Sequence, residues 1–405
     1  MTSPKGLPFD SVGETGWTVF DDGVAYPVAV LLDSALRNNS AAMRQYCERL
    51  GVSVAPHGKT TMAPALFRRQ LDDGAWGITA ATAWQAKTMR ELGVDRVLIA
   101  NEVVVPAEIE WLSRATDEGF EVYCYVDSLA GVEIMNETLE RLAPGEPLRI
   151  LLEAGIVGGR TGVRTVEEGL TVAEAVAASP CLELCGVSGF EGILSAADGP
   201  PAPRVDAFLT QMVELVRKIA AEGWFHSSEV LVTAGGSAYF DQVAARLTAV
   251  DIDQPTRVVL RSGCYLTHDD GGYARSSPMG DDPRIEGPER LMPAIEIWGA
   301  VLSRPEPTRA LVGLGKRDTG PEALLPLAKK VRRRGSDTVE SIEPVRVTAM
   351  NDQHAYLDLD PSDPLAVGDL IGFGISHPCT TFDKWRTMVI VDDDYVVREV
   401  IDTYF

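Results

Sequence analysis

Two short segments of this chain carry residue types able to do chemistry. Pro56-His57-Gly58-Lys59-Thr60-Thr61 sets a lysine just after the apolar stretch 52–55, and His377-Pro378-Cys379 sets an imidazole two residues from a thiol. A lysine amine attacks a carbonyl carbon once it is neutral, and partial burial at the mouth of a barrel would make it so. Elsewhere a lysine is an ordinary solvated charge. Imidazole beside thiolate suits zinc, with manganese and magnesium as alternatives that prefer oxygen ligands. The blander role for a cysteine is that of a small buried hydrophobe. His57 shares a strand face with Lys59 if the strand extends that far, where it tunes the amine or satisfies a core hydrogen bond.

The elements that must position these groups follow from the apolar pattern. Short apolar runs fall at 52–55, 76–80, 96–100, 122–126, 148–152, 184–190, 230–233 and 257–260, with helical spacing between them at 83–92, 166–178, 205–222 and 238–247. Strands alternating with amphipathic helices imply parallel pairing through right-handed crossovers. Eight such units match an α/β fold of the (β/α)8 TIM-barrel kind. The competing architecture is an open doubly wound sheet, whose Gly-x-Gly-x-x-Gly fingerprint is absent. Ahead of this region 28–32 reads as a strand and 34–50 as a helix. After a Pro, Gly and Asp-rich stretch at 276–288 the runs 294–302, 309–314, 345–349, 355–359, 370–373 and 387–391 read as strands, with a helix expected near 322–334. The expected domains are a barrel over 28–288 and a β-rich C-terminal domain over 289–405 that carries the metal site, with residues 1–27 packing on it.

Barrel chemistry sits at the C-terminal ends of the strands. Those ends deliver His57 and Lys59, Thr79 and Thr82, Asn101, Glu153 to Arg160, Phe190, then Thr233-Ala-Gly235-Gly236-Ser237 and Arg261-Ser-Gly263-Cys264-Tyr265. Barrels often bind phosphate between the loops after strands seven and eight, through backbone N–H groups that glycines bring close. Such Gly/Ser loops are also ordinary turns. A lysine amine facing a phosphate site is what pyridoxal 5′-phosphate requires, with Arg160 toward its phenolic oxygen and Phe190 against its ring.

These segments, in this order, resemble the D-serine dehydratase and D-threonine aldolase family, whose N-terminal domain is similar to that of alanine racemase (fold type III of the pyridoxal enzymes). The similarity runs from about Pro27 to the C-terminus. It implies a pyridoxal-binding barrel followed by a β-domain, a homodimer with active sites near the subunit interface, and a D-amino acid substrate. It implies Lys59 as the Schiff-base lysine, His377 and Cys379 as ligands of a divalent metal, and Gly235, Gly236, Ser237, Gly263 and Cys264 as the phosphate cup. Arg261 falls where alanine racemases place an arginine facing the pyridine nitrogen, a role not assigned here; His354 is also left unassigned. Two departures stand out: Thr61 replaces the histidine common two residues after the lysine, and His-x-Cys replaces the His-x-Asp of the aldolases. The second favours a dehydratase that eliminates water from a D-serine-like 3-hydroxy amino acid, giving a 2-oxo acid and ammonia. Retro-aldol cleavage to glycine and an aldehyde is the rival. An amino-acid racemase, a non-catalytic pyridoxal-binding protein and a barrel metalloenzyme without the cofactor are more remote.

Composition narrows the field from outside. The chain has 405 residues, 45% hydrophobic and 24% charged, with a net charge of −22. That acidity disfavours nucleic acid and anionic lipid, both of which need a basic face. No apolar run approaches the ~20 residues that span a bilayer. The first residues lack a signal-peptide pattern, and the six cysteines form no Cys-x-x-Cys pair, so a reducing cytoplasm is the expected compartment.

Overall fold

The structure is a computed structural model and describes residues 5–7, 15–194, 201–342 and 345–405. Eight strands form one parallel sheet: β2 (Ser53–Val54), β3 (Ile78–Ala80), β4 (Arg96–Glu102), β5 (Glu121–Val126), β6 (Leu148–Ala154), β7 (Leu182–Gly189), β8 (Val230–Ala234) and β9 (Thr256–Leu260). They follow β1 (Val28–Leu32) in the chain, and their spatial order is β2-β9-β8-β7-β6-β5-β4-β3. The sheet curls until its edges meet. Trp76 N donates to Val54 O at 2.8 Å, Thr79 N donates to Pro56 O at 2.8 Å, and His57 bridges Thr79 in parallel register. All eight apolar runs are therefore strands of one curled sheet, and the (β/α)8 expectation holds.

These strands are apolar because the sheet is covered on both faces. Its inner face is filled by Ala55, Leu98, Tyr123, Tyr125, Leu151, Cys185, Leu231 and Val259. The crossover helices start where short polar side chains can cap them. Thr82 accepts from Gln85 N at the head of helix Ala83–Glu91, and Thr165 with Glu168 forms a capping box for Val166–Ala177.

The second sheet is mostly antiparallel. It contains β10 (Ile295–Glu306), β11 (Arg309–Val312), β12 (Leu327–Arg332), β13 (Val339–Ser341), β14 (Arg346–Met350), β15 (Ala355–Asp358), β16 (Leu370–Gly374), β17 (Thr387–Val391) and β18 (Val397–Asp402). Its main order is β13-β12-β16-β10-β1-β17-β18, so β1 runs here, antiparallel to β10 and parallel to β17. Trp298 is fully buried at its centre, edge-on to Phe20 and Tyr395 with ring centroids at 4.9 and 5.3 Å. Described residues of the N-terminal segment join this core through Leu7, Val19 and Val24.

The helix expected near 322–334 is instead β12. Tertiary pairing overrides local propensity there: β12 lies between β13 and β16, and Lys330 donates to the Tyr395 hydroxyl at 2.8 Å and pairs with Glu296 at 2.7 Å. Strands β13 and β18 also lie outside the expected runs. Contacts divide the chain into two compact units. One holds the residues up to Met43, Thr60–Leu66 and Cys264–Phe405; the other holds Arg44–Lys59 and Phe67–Gly263. No helix among the described residues is long and apolar enough to cross a membrane.

Candidate active site

The sequence-predicted residues fall into two groups, one in each unit. The barrel unit holds His57, Lys59, Arg160, Phe190, Thr233, Gly235, Gly236, Ser237 and Gly263; the other holds Cys264, Tyr265, His377 and Cys379.

In the barrel unit, the edge-joining segment after β2 presents His57, then the short 3-10 turn Gly58–Thr60 carrying Lys59. Lys59 is exposed rather than partly buried, because the turn lifts it off the strand instead of continuing β2. The His57 Nδ1 lies 3.2 Å from Thr79 O. A carbonyl only accepts, so Nδ1 carries the proton and Nε2 presents a lone pair. The ring is half-exposed by surface yet packed round by protein atoms. Burial, and then the positive charges of Lys59, Arg261 and Arg160, push its pKa well below the usual value. His57 is thus a neutral base beside a primary amine. The Arg160 guanidinium lies over the Phe190 ring at 4.7 Å, a cation–π contact that sets both side chains.

The glycine loop after β8 is engaged in a way the sequence does not disclose. Gly235 N and Gly236 N donate to the Glu191 carboxylate at 2.9 and 3.0 Å. Glu191 is fully buried, and burial raises its pKa against the pull of these amides and of Arg261. The two amides expected to cradle a phosphate therefore already hold a carboxyl group. The Thr233 hydroxyl is also committed, donating to Val259 O at 2.7 Å and accepting from Arg261 at 2.6 Å. A further bond from Arg261 to Gly189 O at 2.7 Å locks this buried guanidinium across β7 and β8. Of the expected cup, Ser237 and Gly263 are the members of this unit with no such commitment shown. Inside the same sheet Tyr125 Oη, Ser188 Oγ and Glu153 Oε2 are buried, a lining suited to a polar ligand. Glu102 meets Glu153 there as a carboxyl pair. Burial first, then the hydrogen bond and charge of Glu153, raise the Glu102 pKa to about 9. The amine, neutral imidazole, cation and polar lining fit the aldehyde end of pyridoxal phosphate.

In the other unit, β16 ends at Gly374 and leads to one helical turn, Cys379–Phe382. Cys379 Sγ lies 3.7 Å from Cys264 Sγ and 3.3 Å from Thr60 Oγ1. His377 Nδ1 lies 3.1 Å from Thr380 Oγ1, which itself donates to Glu322 Oε2 at 2.7 Å. Thr380 must then accept from Nδ1, which leaves Nε2 for other partners. A hydrogen bond to Cys379, opposed by burial, raises the His377 pKa. Hydrogen bonding from Cys264 lowers the Cys379 thiol against the effect of burial, aided by His377 and Thr60. The same bond pushes Cys264 up. Tyr273 stands beside them, its ring 6.4 Å from that of His377. Among the described residues no group of three or more His, Cys, Asp or Glu side chains is gathered as a metal-ligand set. What stands here is a sulfur pair with an imidazole on one member, a donor set soft enough for zinc.

Thr61 is buried with its hydroxyl unpaired. Glu191, Thr60, Tyr273, Thr380 and Glu322 are site residues that motif reading passes over. Thr380 alone had a legible signal, its i+3 spacing from His377 on a helical turn.

The fold agrees with comparison to known proteins. Residues 33–252 match the family described as alanine racemase, N-terminal domain, and residues 294–391 match the putative serine dehydratase domain. The chain belongs to the first of these families, with the second domain following as the sequence resemblance implied. It is 26% identical to a 3-hydroxy-D-aspartate aldolase of Paracoccus denitrificans over 89% of this chain and 87% of that one. A D-threonine aldolase from Filomicrobium marinum superposes with a TM-score of 0.78 at 22% identity, covering 96% of this chain and 97% of that one. The D-threo-3-hydroxyaspartate dehydratase from Delftia sp. HT23 gives a TM-score of 0.71 at 18% identity over 94% and 98%.

Proposed function

We propose that the chain is a lyase dependent on pyridoxal 5′-phosphate and a divalent metal, which eliminates water from a D-3-hydroxy amino acid to give a 2-oxo acid and ammonia. The observation that carries this reading is Lys59, an exposed primary amine two residues after a neutral imidazole, in a chain of the alanine racemase N-terminal family. Lys59 would hold the cofactor's aldehyde, with Arg160, Phe190, Ser237 and Gly263 toward its ring and phosphate. Bound there, the cofactor supplies an electron sink for negative charge at the substrate Cα. The Lys59 amine would take the Cα proton as the hydroxyl leaves as water, and His57 Nε2 offers a second lone pair beside it. His377 Nε2 and Cys379 would hold the metal, which supplies Lewis acidity toward a hydroxyl oxygen. A thiolate in the donor set supports zinc and the dehydratase side.

The identity to an aldolase over most of the chain favours a second reading, retro-aldol cleavage of the same substrates to glycine and an aldehyde. Incubating the reconstituted full chain with a panel of D-3-hydroxy amino acids, with ammonia and glycine assayed in parallel, separates the two. Turnover of L-substrates alone would defeat the stereochemical assignment. Borohydride should fix the cofactor on wild type and not on Lys59→Ala. A homodimer is part of the proposal, and six cysteines free of disulfides support a reducing compartment such as the cytoplasm.

A further inference from the structure

We infer that Cys264 is a third protein ligand of the metal, completing a Cys264–His377–Cys379 zinc site with one open position. The inference rests on the metal reading above and extends it to a residue first assigned to the phosphate cup.

Sulfur spacing is the first ground. Two thiolates on one tetrahedral zinc, each ~2.3 Å from the ion, stand ~3.8 Å apart. Cys264 and Cys379 place their sulfurs 3.7 Å apart, far beyond the ~2.05 Å of a disulfide. Sequence distance is the second ground. The two residues are 115 positions apart and come from different elements, yet their side chains meet. Surroundings that suit anionic sulfur are the third. Thr60 Oγ1 lies 3.3 Å from one sulfur and 3.9 Å from the other. The Tyr273 ring stands 6.4 Å from that of His377, on the same cluster. The His377 ring is oriented by Thr380 and Glu322 through Nδ1, which leaves Nε2 for other partners. His377 stands two residues before Cys379, close enough along the chain for its imidazole to join the sulfur pair on one cation. Three protein ligands with a fourth position open is the arrangement of catalytic zinc. Two thiolates also set the metal's identity, because magnesium and manganese bind sulfur poorly.

The test reads metal binding and needs no turnover. The full chain is stripped with chelator under reducing conditions and titrated with cobalt(II), whose thiolate charge-transfer band scales with the number of bound sulfurs. Wild type is expected to show a two-thiolate band, and Cys264→Ala and Cys379→Ala one-thiolate bands with zinc affinity lowered ~10–100-fold or more. His377→Ala should keep the two-thiolate band while binding more weakly. Cys264→Ser preserves volume and guards against a folding artefact, with circular dichroism checked for each variant. A one-thiolate band in wild type, or wild-type band and affinity in both Cys264 variants, overturns the inference. A two-thiolate band in a chain without lyase activity would sink the functional proposal and leave this one standing, and a chain that takes up no cobalt sinks both.

Discussion

Gly58 separates the two candidate bases, and replacing it tests whether the turn that presents them is set by packing. An alanine Cβ at this position would lie 2.7 Å from Ile78 Cγ2, 2.7 Å from Met89 Cε and 2.9 Å from Phe67 Cε1. All three neighbours are at most 1% exposed, so none can swing into solvent. Ile78 is held by its strand, pairing with Val97 in β4, which leaves Met89 as the one flexible side chain. Overpacking of this kind costs about 1–3 kcal/mol. If the turn yields instead, His57 leaves Thr79 O and Lys59 moves with it. Gly58→Ala should therefore lower the urea midpoint by the equivalent of that cost and reduce the cofactor trapped on Lys59 by borohydride. Trimming the flexible neighbour should relieve the clash, so Gly58→Ala with Met89→Ala should cost less than the two single changes summed. A Gly58→Ala chain that unfolds at the wild-type midpoint and traps cofactor normally would refute the packing argument. Lost stability with normal trapping would show that the strain is absorbed away from the site.

Three further outcomes follow from the same contacts. The Glu102 carboxyl, raised from 4.5 to about 9, is neutral in the fold and ionised in the unfolded chain between those values. Its contribution is full below about 4.5 and is lost as pH rises toward about 9, so Glu102→Gln should flatten the fall in urea midpoint between about pH 5 and pH 9; an identical slope in wild type and variant would contradict the shared-proton pair. Removing the buried guanidinium in Arg261→Ala deletes two hydrogen bonds from a charged donor and should cost on the order of 3 kcal/mol by chemical denaturation; a loss under about 1 kcal/mol would show that water replaces it without penalty. Thr380→Val frees His377 Nδ1 and should weaken zinc binding ~10–100-fold in chelator competition, and unchanged affinity would deny Thr380 its orienting role.

The sequence showed the barrel clearly because each strand is buried on both faces and each helix on one, so period and burial agree from residue 52 to 260. It failed at 322–334, where a basic run with good helix formers is held as a strand by neighbours on both sides and by Glu296 and Tyr395. Lys59, His377 and Cys379 were legible because each lies within a short motif. The Glu191 carboxylate on the glycine amides was not, since nothing in a Gly-Gly-Ser loop says which anion its N–H groups hold.

That carboxylate constrains how any phosphate binds. The Gly235 and Gly236 amides point at Glu191, which is buried and carries a raised pKa, so protonating it weakens its claim on both N–H groups. A phosphate approaching the loop must displace Glu191 or settle for Ser237 and Gly263. In the first case Glu191→Gln, whose amide oxygen is a weaker acceptor than a carboxylate, binds cofactor more tightly. In the second, the same change removes a negative charge near the incoming anion and helps only to the extent that salt does not screen it. Cofactor affinity of Glu191→Gln measured at low and high ionic strength separates the two. A gain that persists in high salt means the amides have changed hands.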